Sequence, residues 1–263
     1  LLADGQLSTP LRTVPGFPPE EVWENTPLGM IYSDRAQALI PTYPVGLPIL
    51  YALGATVAGW HWGPILVSTA LACGAPLSTF LCVRRVGVRR QIAGPAAVAI
   101  AVCPLVFYTT FQPLSDTASV CFNAFAVACA LRAGGTRSLA WSIAAGAGLA
   151  AAVLVRPTNL LLAPALAVAL AHQRALLGAV LGGLPGALAL ACYHHALYGS
   201  VLTTGYGSVW GMFGLEHVLP SLRKYMIWIP AFLPVGAAGV LALPWLPRRE
   251  RRREIAVLFL WRL

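Results

Sequence analysis

Two isolated charges carry the chemical signal of this sequence. Between Arg90 and Arg132 the single charged side chain is Asp116, and between Arg137 and Arg174 it is Arg156. A charge at membrane depth costs roughly 2.5–3.5 kcal/mol on insertion scales, so one that persists there is paired or used. A carboxylate can act as a general base or metal ligand, and a guanidinium fork suits phosphate. Asp116 follows Gln112-Pro113-Leu114-Ser115, where proline ends one segment and a new helix begins. Arg156 precedes Pro157-Thr158-Asn159, which breaks an apolar hairpin and offers free N–H groups to an anion. Plainer readings stand beside both: Asp116 as a helix N-cap, and Arg156 as a side chain reaching to lipid head groups.

Other candidates are weaker. The stretch Leu197-Tyr198-Gly199-Ser200-Val201-Leu202-Thr203-Thr204-Gly205-Tyr206-Gly207 alternates glycine, hydroxyl and aromatic residues. It can approach a sugar or phosphate with backbone and stack a ring on it, or simply connect two helices. Arg223 and Lys224 begin a later apolar segment and suit either a substrate phosphate or ordinary lipid head groups. His194 and His195 are adjacent and point apart on a helix, so a histidine metal site is not expected. Neither a P-loop, nor GxSxG, nor HExxH occurs.

The elements that must hold these groups are membrane helices. The chain of 263 residues is 58% hydrophobic and 10% charged, with a mean hydropathy of +0.72. Soluble domains carry about 25% charged residues. A net charge of +9 could suggest nucleic acid. The basic residues sit in short loops instead, with no aromatic interleaving, so no nucleic-acid partner is expected. The six cysteines lie scattered in apolar segments, as small helix residues.

The expected fold is an all-α, polytopic transmembrane bundle of about seven spans plus an interfacial helix. Residues 1–46 form a proline-rich polar outer loop, and 47–62 an interfacial apolar helix anchored by Trp60, His61 and Trp62. Spans are placed at 63–83, 92–108, 117–131, 138–154, 158–171, 175–196 and 224–246. They make a bundle over 63–246 with an outer loop at 197–223, followed over 247–263 by a basic cytoplasmic loop and the start of a truncated span. Arg84, Arg85, Arg89, Arg90, Arg132, Arg137, Arg174, Arg248, Arg249, Arg251, Arg252 and Arg253 then share one side, which the positive-inside rule makes cytoplasmic. Asp116, Arg156 and the 197–223 loop share the other.

With these segments in place the chain resembles the GT-C superfamily of membrane glycosyltransferases. It is most similar to bacterial protein mannosyltransferase and lipid A aminoarabinose transferase types. The residues that carry the resemblance are Pro41-Thr42-Tyr43-Pro44-Val45-Gly46-Leu47-Pro48, Gln112-Pro113-Leu114-Ser115-Asp116, Val155-Arg156-Pro157-Thr158-Asn159 and Tyr198-Gly199-Ser200 through Thr204-Gly205-Tyr206-Gly207. The resemblance implies an inverting, multi-pass enzyme of the bacterial inner (plasma) membrane, working in the cell envelope. It would move a sugar from a polyprenyl-phosphate donor to a lipid or protein acceptor on the outer face. Asp116 is then the catalytic candidate. Tyr43, Asn159, Tyr206, Arg156, Arg223 and Lys224 are the substrate-binding candidates, and a divalent metal ion is a candidate cofactor of unassigned ligands. The family also places an acid in the outer loop just after a first span, so that span and acid are expected upstream of Leu1. Asp34, Glu20 and Glu21 lie in that loop but outside the family's motif.

A secondary transporter also uses broken helices and isolated charges, and a non-catalytic scaffold is a third reading. Transporter sites lie near the bilayer midplane, whereas both charges here fall toward one face. The topology makes a direct prediction. In a cysteine-free background, Val88→Cys should be inaccessible to an impermeant thiol reagent applied to intact cells. Labelling from outside would invert the assignment.

Overall fold

A computed structural model describes residues 7–12, 16, 25–112, 114–170, 172–208 and 214–232. Proline and turn residues keep the N-terminal region out of helix. It contains an antiparallel hairpin of β1 (Met30–Ser33) and β2 (Ala38–Pro41), with Ile31 opposite Ile40. The tight connection is held by the Ala36 N–H donating to Ser33 Oγ and by Gln37 in the left-handed region at φ 47°. Thr9 extends the ladder by pairing with Leu39. Leu39 and Ile40 are buried, so this polar-looking region has an apolar underside.

The helices follow. α1 (Gly46–Arg85) is two arms, broken at Gly59, whose φ of 70° and ψ of 169° suit a residue without Cβ. The arms fold back on each other: Tyr51 and Ser68 share a hydroxyl–hydroxyl hydrogen bond of 3.0 Å, and Gly54 lies on Gly63. The division expected near residue 62 thus falls at Gly59, where the backbone can reverse.

Proline sets the next correction. In place of a single span over 92–108 there are two short helices, α2 (Arg90–Ala101) and α3 (Pro104–Phe111). Pro104 cannot donate into a continuing ladder, so the chain breaks at Val102 and Cys103 and restarts with proline in the first turn. α4 (Ser115–Thr136) and α5 (Leu139–Val155) are joined by a tight turn at Arg137, itself left-handed at φ 54°. The segment expected at 158–171 opens as a 3-10 helix over Pro157–Leu162 before α6 (Ala163–Leu170). α7 (Gln173–Tyr198) ends on Gly199, and a small hairpin of β3 (Thr203–Thr204) and β4 (Gly207–Ser208) follows. The last described helix is α8 (Val218–Phe232). Residues 233–263, which carry the rest of the expected span 224–246, the basic loop and the truncated span, lie outside the described residues.

Among the described helices α1, α4 and α7 are long and apolar enough to cross a membrane, while α5 and the Pro157–Leu170 segment are shorter. The architecture is an α-helical membrane bundle with two small hairpins at its periphery. Its core is built from small residues: Ala126, Ala130, Ala133, Ala145, Ala165 and Ala169 are essentially inaccessible, with Leu166 and Leu170 filling between them. Lipid gives helices no hydrophobic reason to associate, so close backbone approach must supply the attraction.

The α5–α7 contact shows this most plainly. A Cβ built on Gly182 would strike the Ile143 carbonyl, and one on Gly146 the Ala179 carbonyl, both inside any tolerated distance. Gly183, one position on, would place its Cβ an ordinary 3.5 Å from the Gly146 oxygen. Gly182→Val should therefore destabilise the bundle by about 1–3 kcal/mol through overpacking, and Gly183→Val by much less. Thermal melting of the two variants in detergent measures the difference; equal melting shifts would contradict the packing.

Candidate active site

The site lies where α4 begins and α5 ends. The cap position of α4 is Leu114, extended at φ −92° and ψ 146°, and no side chain caps the helix. Asp116 sits inside the first turn, so the N-cap reading does not describe it. Its charge is favourably placed against the positive end of the helix. α5 stops at Val155 because Arg156 precedes proline and is forced extended, at φ −151° and ψ 107°. The Arg156 N–H still donates to Ala152 O at 2.9 Å, which holds the break tightly against the helix.

The two isolated charges meet there. Arg156 Nη1 donates to Asp116 Oδ1 at 2.8 Å, and the side chains keep 43% and 40% of their accessibility respectively. The guanidinium is therefore committed to a carboxylate rather than stretched toward head groups. The pair is open enough for a ligand to reach either member.

Apolar packing fixes this end of the bundle. Leu47, Ala118 and Val155 form one buried cluster, bringing together the starts of α1 and α4 and the end of α5. A Cβ on Gly46 would lie 2.5 Å from the Leu154 carbonyl carbon, so glycine is what lets α1 start directly on the α5 terminus. Beside Asp116, the Thr109 and Thr117 hydroxyls bond at 3.0 Å and tie α3 to the first turn of α4.

The polar hairpins close over the same end. Tyr198 donates its hydroxyl to Pro41 O at 2.7 Å, Arg35 reaches His195 O at 3.4 Å, and Gly205 lies against the Thr42 backbone. These contacts set Tyr43 and Tyr206 edge to face, with ring centroids 6.3 Å apart and planes at 70°. Both rings are more than half exposed. Burial first and the neighbouring Tyr43 phenol second push Tyr206 above the ordinary phenol range, against the downward pull of Arg156. The segment carrying Tyr43 runs from Thr42, against Gly205, to Gly46, against the α5 terminus, at the same end of the bundle as Arg156. Asp116, Arg156, Tyr43 and Tyr206 thus form one constellation: a carboxylate, a cation and two ring faces.

Asn159 is also at this end, but its amide is turned inward onto α4 and α5. Nδ2 donates to Ser119 Oγ and to Ala152 O, each at 2.8 Å. Oδ1 accepts from Ser119 Oγ at 3.0 Å and from Asn123 Nδ2 at 2.9 Å. Ser119 and Asn123 had not been singled out. The signal for them was present: 116, 119 and 123 fall on one face of a helix. Arg223 and Lys224 lie elsewhere. They are exposed on α8 and line a shallow surface depression with Leu219, Pro220, Ile227 and Trp228. The structure does not bring them to the ion pair.

The described residues assemble no group of three histidine, cysteine or carboxylate side chains. Asp116 is the one acid of the constellation, and its Oδ1 is taken by Arg156. Among the described residues, this constellation alone therefore supplies a single carboxylate toward a divalent ion.

Residues 43–198, more than half of the chain, match the family model of dolichyl-phosphate-mannose-protein mannosyltransferases. The chain belongs to that family. It is a membrane glycosyltransferase of the GT-C type, which sets aside the transporter and the scaffold. The match spans Tyr43, Asp116, Arg156 and Asn159, while Tyr206, Arg223 and Lys224 lie beyond it. No curated protein and no solved structure matches the chain.

The environment of Tyr206 in this mannosyltransferase-family chain is testable by titration. Its phenol should ionise above about 10, the ordinary value. Tyr43→Phe should bring the midpoint down, and Arg156→Ala should send it further up because a stabilising cation is lost. Ultraviolet difference spectra, with Tyr206→Phe to identify the signal, report the midpoint. An unchanged midpoint in both variants would separate Tyr206 from the constellation.

Proposed function

We propose that this chain transfers a sugar, with inversion, from a polyprenyl-phosphate donor to a hydroxyl of a lipid or protein acceptor on the outer face of a bacterial plasma membrane. The Asp116–Arg156 pair carries the proposal: a base candidate and a candidate phosphate ligand bonded at 2.8 Å and open to substrate, at the end of the bundle where Tyr43 and Tyr206 meet. The acceptor oxygen attacks the anomeric carbon, and the carbon–oxygen bond to the lipid phosphate breaks. The proton goes to Asp116, and the electron pair leaves on the phosphate, where the Arg156 guanidinium stabilises it.

The ion pair uses one oxygen of Asp116 and one nitrogen of Arg156. The second carboxylate oxygen can take the acceptor proton while the remaining guanidinium N–H groups engage the donor phosphate. The ring faces of Tyr43 and Tyr206 offer stacking area for a sugar. Within the constellation, charge on the leaving phosphate falls to Arg156. Arg223 and Lys224, on the exposed α8, suit lipid phosphates near the membrane surface.

In the intact protein, Asp116→Asn and Arg156→Ala should each lower sugar transfer at least about tenfold, roughly 1.4 kcal/mol of transition-state stabilisation. Steady-state transfer assays on membranes with matched protein levels measure this. Asparagine preserves the shape of the first turn, so full activity of Asp116→Asn would remove Asp116 from the chemistry.

A further inference from the structure

The Asn159 amide has no capacity left for a substrate. A carboxamide offers two N–H donors and two acceptor lone pairs. All four are used inside the protein: two donations to Ser119 Oγ and Ala152 O, and two acceptances from Ser119 Oγ and Asn123 Nδ2. Ser119 is itself only 7% exposed. A ligand could bond the half-buried Asn159 amide only by breaking these bonds, which leaves the buried Ser119 hydroxyl with lost partners at a cost.

What these bonds hold is the break in α5. Ala152 O accepts both from the Arg156 backbone N–H at 2.9 Å and from Asn159 Nδ2 at 2.8 Å. The Asn159 backbone N–H donates in turn to Arg156 O at 2.9 Å. Arg156 is thus fixed from both sides, at its own amide and at its own carbonyl, in the extended conformation that aims its side chain at α4. On the facing helix, Ser119 lies three residues beyond Asp116, and Asn159 lies three beyond Arg156. The two bonded pairs share one register: the charged pair at the surface and the amide–hydroxyl pair one turn deeper. Asn123 adds a third rung below, through Nδ2 alone, since its Oδ1 is buried with no hydrogen-bond partner.

We propose that Asn159 is a positioning residue, not a substrate ligand: with Ser119, and secondarily Asn123, it locks the α5 break to α4 so that Arg156 is presented to the donor phosphate. This rests on the function proposed above and adds residues that act through Arg156. Loss of the lock should leave the fold, which is held by the buried small-residue core, and loosen the guanidinium.

The test is a double-mutant cycle on the intact protein in membranes, with a polyprenyl-phosphate sugar as donor. Asn159→Ala should raise the donor KM at least fivefold with the acceptor KM unchanged. In the Arg156→Ala background the same substitution should cost less than twofold, because the group it positions is gone. A residue with a purely structural role, or one binding the sugar directly, would multiply its loss onto Arg156→Ala. That multiplicative outcome overturns the proposal. Ser119→Ala is the second variant and should show the same non-additivity with a smaller single effect, so the proposal stays testable if Asn159→Ala accumulates poorly. Absence of transfer by the unmodified protein, or full activity of Arg156→Ala, would count against the function reading instead. A cycle that is additive on an active enzyme counts against the positioning role alone.

Discussion

A carboxylate and a guanidinium in apolar surroundings are each unfavourable alone and tolerable together. That constraint organises one end of this bundle. Separately, each would leave a charge unpaired among apolar helix ends, at a cost that pairing offsets. Brought to 2.8 Å, they bond across the α4–α5 interface. Around them the surrounding packing becomes intelligible: Gly46 admits α1 onto the α5 terminus, Pro157 forces the extended Arg156, and Leu47, Ala118 and Val155 seal the junction beneath. The same proximity that cancels charge puts a base candidate beside a phosphate ligand. Stability and reactivity draw on one contact.

Much of this was legible in the sequence because it rested on composition and on proline. Isolated charges in apolar runs, the Arg-Pro break and the Gln-Pro-Leu-Ser-Asp helix start each have a local physical cause. That Tyr43 and Tyr206 meet as a pair was not legible, because no periodicity relates positions so far apart. Local rules failed where the outcome depended on neighbours. The segment 92–108 has the hydropathy of one span, but Pro104 divides it. The hairpin of β1 and β2 was hidden because prolines mark the region as loop, while the burial of Leu39 and Ile40 depends on surfaces contributed from elsewhere. Asn159 looked like a ligand because an amide beside an arginine at a helix break can serve either way. Only the positions of Ser119, Asn123 and Ala152 decide that its hydrogen bonds are spent internally.

The outer hairpins and the helices contribute differently. The small-residue core of α4, α5, α6 and α7 leaves little room for relative movement, since backbone touches backbone at Gly146 and Gly182. The aromatic pair hangs on single contacts such as Tyr198 to Pro41 and Gly205 to Thr42. Movement is therefore most easily accommodated by the hairpins, with the ion pair remaining a fixed reference.

The turn between α4 and α5 has a reach out of proportion to its size. It occupies little more than Arg137, in a left-handed conformation, and lies at the end of the bundle opposite Asp116 and Arg156. α5 has 17 residues, so the turn is about 25 Å from the site along the helix axis. A residue gained or lost within α5 itself would rotate Arg156 by about 100° off the face that Asp116 presents. The alignment of the pair thus depends on how the far end of the bundle seats α5, like the bearing of a long key fixed at its bow.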